Sequence, residues 1–366
     1  MNKGLDLYCF FPYLLVVIIN NNITSEEKME KGKFNNNRGF GVEIEFIRPS
    51  GTSKQDICDA LTVTCEVEGY NHITRPHWKI VTDCSVNENS NQYARGLVGD
   101  NELVSPILYG ENGFAQLKNI LDTLNQLECE VNYSCGIHVH HDVTNKMVEG
   151  KEQSQRFLAN LVKFVAKYEH LIYKMVSPSR LDDRCFSTPV RKEFLGYGLD
   201  VSVAKRDVEL MIKKLKDDCV IKYEIEGGND INDNQPSPSV QSNRACGLNL
   251  RNVWTRGAVE FRYHNGSLNF DKIVSWIVFT QAIVNTVEET NSVQMNYVPN
   301  DADRGFFRLR KAIGFVVCDR DQRTKDASAY SLKRFKELSA REDDYARNSR
   351  QYSYVKDGLT TNQQGV

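Results

Sequence analysis

The sequence has almost no net charge: 46 Lys and Arg stand against 48 Asp and Glu, a formal balance of -2. That balance excludes a whole-protein field able to draw in nucleic acid or an anionic membrane, and no nucleic-acid partner is expected. The chain also lacks a C-x-x-C pair, its 10 cysteines being scattered singly from Cys9 to Cys318. No motif therefore points to a zinc ribbon or a redox dithiol, and the cysteines read as reduced thiols of a cytosolic protein, a disulfide framework being unnecessary in a chain this size. No Walker-type or G-x-G-x-x-G sequence occurs, so any ATP would have to be held by a sheet, its metals and arginines. No internal repeat is visible. The N-terminal apolar run from Tyr8 to Ile19, interrupted by Pro12, falls short of the roughly 20 residues that span a bilayer. Lys3 is the only basic residue before it and Asn20 to Asn22 follow it, a weak secretory pattern. A signal peptide or weak anchor is thus the second reading, behind an upstream extension with Met29 as the true start, and no stable membrane association is expected.

What is present is enough apolar material, 40% of 366 residues, to build a sizeable core. Gly39 to Ile47 alternates sharply and reads as a strand; Lys54 to Val67 reads as a helix; Trp78 to Asp83 and Glu102 to Leu108 read as strands around an Asn- and Ser-rich loop from Asp83 to Gly99. Asn112 to Leu127 and Phe157 to Met175 have helical periodicity, with Cys135 to Val143 a strand between them. Val203 to Leu215 looks helical and Glu226 to Ser242 looks like a loop able to close over a site. Leu248 to Trp254 and Ala258 to His264 read as paired strands around Thr255-Arg256-Gly257, and Phe270 to Thr286 as an apolar helix. This is an α+β pattern. Three regions follow: an N-terminal extension over 1–37, a catalytic domain over 38–322, and a charged, partly disordered tail over 323–366.

Strand alternation separates the polar groups from the apolar ones. Glu43 and Glu45 share one face, opposite Val42, Ile44 and Phe46; His138, His140 and Asp142 share a face opposite Ile137, Val139 and His141; Glu260, Arg262 and His264 oppose Val259, Phe261 and Tyr263. A solvated strand face carries varied polar residues, whereas Glu, His and Arg recurring on three strands are the groups that bind cations, move protons and hold phosphates. Carboxylates gathered on one sheet repel unless a cation or Arg neutralises them, which is the physical argument for bound metal. Each motif alone is weak, since E-x-E and H-x-H also occur on ordinary strands. Cys84, Cys135 and Cys246 read as small packing residues, and Trp276 as core.

Gly39-Phe-Gly-Val-Glu-Ile-Glu45, Cys135-Gly-Ile-His-Val-His-His-Asp142 and Ala258-Val-Glu-Phe-Arg262 resemble the amidoligase family, relatives of glutamine synthetase and glutamate-cysteine ligase. Trp78 with Asp83 and Ser85, Glu102-Leu-Val-Ser-Pro106, and Arg244 with Leu248-Asn249 match further elements of that family in the same order. Ala258 stands where the family usually has Thr. The resemblance covers roughly Gly39 to Val284. It implies a curved, mainly antiparallel sheet with helices on its outer face, like the glutamine synthetase catalytic domain. It also implies an ATP- and Mg²⁺-dependent reaction, with two or more ions. There a carboxylate attacks the γ-phosphate, and an amine displaces phosphate from the acyl phosphate to form an amide, peptide or isopeptide bond. The substrates would be a small-molecule or peptide carboxylate and amine. By the same resemblance Glu43, Glu45, Glu102 and Glu260 hold Mg²⁺, and His138 and His140 attend a metal or a nucleotide phosphate. Arg262 and Arg244 hold phosphate or substrate carboxylate, Asn249 orients one of them, and Arg180 is a weaker candidate of the same type.

Two rivals remain open at this level. H-x-H beside carboxylates could bind Zn²⁺ and activate water in a metal-dependent hydrolase, although carboxylates outnumbering histidines favours Mg²⁺. A non-catalytic nucleotide- or peptide-binding protein of the same fold is the other.

Overall fold

The computed structural model describes residues 32–181, 187–190, 246–317 and 321–339, all within the compact unit Lys31–Val366. In chain order these form β1 (Phe40–Pro49), α1 (Lys54–Ala60), β2 (Cys65–Val67), β3 (Trp78–Thr82), α2 (Ser90–Ala94), β4 (Leu97–Val104), α3 (Gly110–Gln126), β5 (Gly136–Asp142), α4 (Thr144–Val148) and α5 (Lys151–Tyr173). Then come a 3-10 turn (Pro178–Leu181), β6 (Leu248–Asn249), α6 (Val253–Arg256), β7 (Ala258–Asn265), α7 (Phe270–Glu288), a π turn (Ala302–Phe306), α8 (Phe307–Ala312) and α9 (Gln322–Ser339). The expected N-terminal run, the Val203 to Leu215 helix, the Glu226 to Ser242 loop and the end of the tail lie outside the described residues.

The seven strands make one sheet in the order β2-β3-β4-β1-β5-β7-β6. Every pairing is antiparallel except β2 with β3, so the α+β expectation holds with a mostly antiparallel sheet. Its apolar face is set by alternation: Val42, Ile44 and Phe46 of β1, Ile80 of β3, Leu103 of β4, Ile137 and Val139 of β5, and Val259 and Phe261 of β7 share one core with the helices. On α3, Phe114, Leu117, Ile120, Leu121 and Leu124 recur at helical spacing and are buried. Helix α7 is buried almost all round, because it packs on β5 and also carries α5 and α9 against it.

Several expectations need correction. The helix expected over Lys54 to Val67 ends at Ala60; Leu61 is extended, and the β-branched run Thr62-Val63-Thr64 leads into β2. The strand expected over Leu248 to Trp254 is only Leu248–Asn249, because the Asn249 side chain accepts a hydrogen bond from the Arg251 amide and turns the chain into α6. The loop from Asp83 to Gly99 contains α2, started by a reciprocal Asn89 and Gln92 cap, and β4 begins at Leu97 rather than Glu102. The segment after Arg323 opens as α9, which buries Ala327 and Phe335.

The most consequential difference is a bulge in β7. Ile137 pairs with His264 and Val139 with Phe261, two steps on β5 against three on β7. The extra residue reverses the alternation, so His264 does not share a face with Glu260 and Arg262. It turns to the helices, 5.4 Å from Trp276 between ring centroids, where burial pushes its pKa down to about 4.

Gly257 joins α6 to β7 in the left-handed region at φ 66, and a Cβ there would meet Thr144 Oγ1 at 2.2 Å. Gly257→Ala is expected to lower stability by about 1–3 kcal/mol in urea unfolding; an unchanged midpoint would contradict this account of the turn.

Candidate active site

The face of the sheet opposite the core collects the polar residues. The register sets Glu43 opposite His138, Glu45 opposite Glu102, and His140 opposite Glu260, which in turn faces Asn249. Across these pairs the side chains meet: His138 Nδ1 is 2.9 Å from Glu43 Oε2 and 3.7 Å from Glu260 Oε1, and its Nε2 is 3.6 Å from Glu45 Oε1. His140 Nε2 lies 3.0 Å from the other Glu43 oxygen. Arg262 Nη1 donates to Glu260 Oε1 at 2.6 Å, and Asn249 Nδ2 donates to Glu260 Oε2 at 2.8 Å. Glu45 accepts from the Gly136 amide. Glu45, Glu102, His138, Asn249 and Glu260 are all buried.

Electrostatics divides the carboxyls into two kinds. Burial pushes Glu43 upward, but the His140 charge and hydrogen bonds from His138 and His140 win and hold it well below the usual carboxylate range. Glu260 behaves similarly: burial opposes ionisation, while Arg262 and His140 bring its pKa below the ordinary value. Glu102 is the opposite case. Burial first, then the charges of Glu43, Glu45 and Asp83, raise its carboxyl well above the usual range despite Arg262. Burial works against the charged His140 ring, yet Glu43 and Glu260 raise its pKa. Arg262 is likewise raised against its burial by Glu260, Glu43 and Glu45.

Of the residues singled out from sequence, Glu43, Glu45, Glu102, His138, His140, Asn249, Glu260 and Arg262 come together on this face; Arg244 lies outside the described residues. Arg180 is buried and donates from Nη2 to the Arg262 carbonyl at 2.9 Å, supporting the bulged strand. His141 points to the helices, 2.8 Å from Thr280 Oγ1. Ser105, from the E-L-V-S-P element, braces the start of β1 by accepting from the Val42 amide at 2.8 Å, and Asp83 accepts from the Ser85 amide at 2.7 Å while adding charge near Glu102. The sequence reading missed Glu169, fully buried on α5, which accepts from Tyr263 Oη and the Val190 amide, each at 2.6 Å. It anchors β7 just beyond Arg262. A carboxylate amid the apolar periodicity of α5 was the signal available.

Two sets of donors, Glu43 with His138 and Glu260, and Glu45 with Glu102 and His138, each place ligand atoms within 4.8 Å of one another. Each offers two carboxylates and one histidine, a mainly hard set that fits a divalent cation such as Mg²⁺. The raised pKa of Glu102 supplies a test. An unfolded Glu ionises near about 4.3; above that the unfolded chain loses this proton while folded Glu102 keeps it, so the residue's contribution to stability declines as pH rises toward its folded pKa. A cation bound by this set would take the proton's place. The gain in melting temperature on adding Mg²⁺ is therefore expected to grow with pH over this window, and Glu102→Gln to flatten the growth; a gain independent of pH in the wild type would contradict the assignment.

A family model described as "Putative amidoligase enzyme" matches residues 36–284. No curated protein matches the chain. Among solved structures the chain resembles the crystal structure of a bifunctional glutathione synthetase from Pasteurella multocida, at 13% identity and a TM-score of 0.38, over 88% of this chain and 52% of that one. The chain thus spans about half the length of that enzyme. With the family model extending over most of its length and over every strand of the polar face, the chain belongs to the amidoligase family.

Proposed function

We propose that this protein is an ATP- and Mg²⁺-dependent ligase that joins a carboxylate to an amine through an acyl phosphate, on a sheet of the glutamine synthetase type. The observation that carries this reading is the gathering of four carboxylates from three strands around His138, with Arg262 fixed beside them. Phosphoryl transfer needs charge neutralised and partners aligned rather than a protein nucleophile, and this face is built from such groups. Two carboxylates to each histidine in both donor sets favours the ligase over a zinc hydrolase.

In this reading Glu43, Glu45, Glu102 and Glu260 hold Mg²⁺, with His138 and His140 beside them. Bound there, Mg²⁺ supplies the positive charge that the ATP phosphates need. Asn249 and Arg262 occupy one oxygen each of Glu260, so that carboxylate presents its remaining lone pairs in a fixed direction. The Gly136 amide fixes Glu45 in the same way. The partly exposed guanidinium of Arg262 is assigned to phosphate or to the substrate carboxylate, and Arg244 to the same task from outside the described residues. The substrates are a small-molecule or peptide acid and amine.

ADP release from ATP and Mg²⁺ with pooled amino acids, polyamines and peptides is the test. The expected result is release that requires an added acid and amine and is abolished in Glu43→Ala and Glu260→Ala; release without an amine, or equal release by the variants, would count against a ligase. Asn249→Ala is expected to lower the same rate about 10–100-fold, measured at saturating Mg²⁺, and an unchanged rate would remove Asn249 from the positioning of Glu260.

A further inference from the structure

Away from the polar face, the corner between α1 and β2 brings together two thiols that are seven residues apart in sequence. Cys58 lies in the last turn of α1 and Cys65 opens β2; their sulfurs are 3.1 Å apart and share a hydrogen bond. Cys58 is buried and Cys65 half-buried, whereas Cys84 is exposed and Cys129, Cys135 and Cys246 are buried. The approach is fixed from both sides. The Leu61 amide donates to the Cys58 carbonyl at 3.2 Å and closes α1, while the Trp78 amide donates to the Thr64 carbonyl at 3.0 Å and sets Cys65 beside Trp78 in the ladder. Two separately anchored elements therefore hold the sulfurs face to face. A disulfide requires about 2.05 Å between them, a closure of about 1 Å.

We propose that Cys58 and Cys65 are a redox-active dithiol, which hydrogen peroxide converts to a disulfide that fastens α1 to the edge strand β2. At 3.1 Å either thiol donates to the other once that one ionises; with Cys58 ionised, the Cys65 S–H favours its thiolate against burial. The Cys58 thiolate attacks one peroxide oxygen; the O–O bond breaks, hydroxide leaves and takes up a proton, and Cys58 becomes a sulfenic acid. The Cys65 sulfur then attacks the Cys58 sulfur, the S–O bond breaks, and water leaves with the Cys65 proton. Two thiols and one peroxide thus give one disulfide and two waters, the two electrons passing from sulfur to oxygen. A small oxidant suits a buried Cys58, and the half-buried Cys65 is placed to resolve the sulfenic acid. Strand β2 has three residues and pairs only with β3 among the described strands, so it is the member of the sheet with most to gain from a covalent tie.

The experiment treats the full chain with hydrogen peroxide, alkylates remaining thiols, digests, and maps cysteines by mass. The expected product is a peptide linking Cys58 to Cys65, reversed by dithiothreitol, with the melting temperature of the oxidised protein raised by roughly 2–5 °C. Cys65→Ser, checked to melt like the reduced wild type, is expected to accumulate a dimedone-reactive sulfenic acid at Cys58 well above the wild-type level. Recovery of Cys58 and Cys65 as free thiols at peroxide doses that oxidise Cys84 would overturn the proposal, as would equal dimedone labelling of Cys58 in wild type and Cys65→Ser.

Discussion

Mutual repulsion among Glu43, Glu45, Glu102 and Glu260 is the constraint on which the polar face depends, because all four are brought onto one side of the sheet near His138. The structure offsets part of it from within. Arg262 pairs with Glu260, and the His140 charge stabilises Glu43, while burial and the negative charge of its neighbours raise the pKa of Glu102. These compensations are local and directional. Glu260 is held by two side chains, Glu43 by two histidines and Glu45 by a backbone amide. A cation entering such a set replaces a proton and meets oxygens already oriented.

The apolar face makes this crowding tolerable. Ile44 is fully buried between the two acidic positions of β1, and Ile137 and Val139 flank His138 from the other side of β5. Because one step of slippage would turn the Glu and His side chains of the polar face toward the helices, the core fixes the register, and the register fixes which acid meets which base. The helices take part indirectly: Glu169 on α5 grips Tyr263, and Arg180 supports the Arg262 carbonyl, so the bulged end of β7 is tied from behind.

Much of this was legible from alternation. The separations Glu43–Glu45 and His138–His140 alone placed each pair on a polar face, and the apolar residues between them named the core. Register was not legible, since it depends on strands about a hundred residues apart and on side-chain packing that no single strand encodes. The bulge in β7 has no signal in Ala258 to His264, which alternates without interruption, so alternation alone places His264 on the wrong face. The Leu248 strand was overextended because a turn held by the Asn249 side chain has no periodicity. Cys58 and Cys65, scattered by sequence spacing, are adjacent only because α1 ends early and β2 begins. Arg244 lies outside the described residues.

On the proposed function, the shared carboxylates are a divalent-cation site. Manganese can stand in for magnesium and is visible by its anomalous scattering, so crystals grown with Mn²⁺ and a non-hydrolysable ATP analogue test it most directly. The account predicts anomalous peaks within coordination distance of Glu43, Glu45, Glu102 and Glu260; crystals with the analogue bound elsewhere and no peak beside these residues would contradict it.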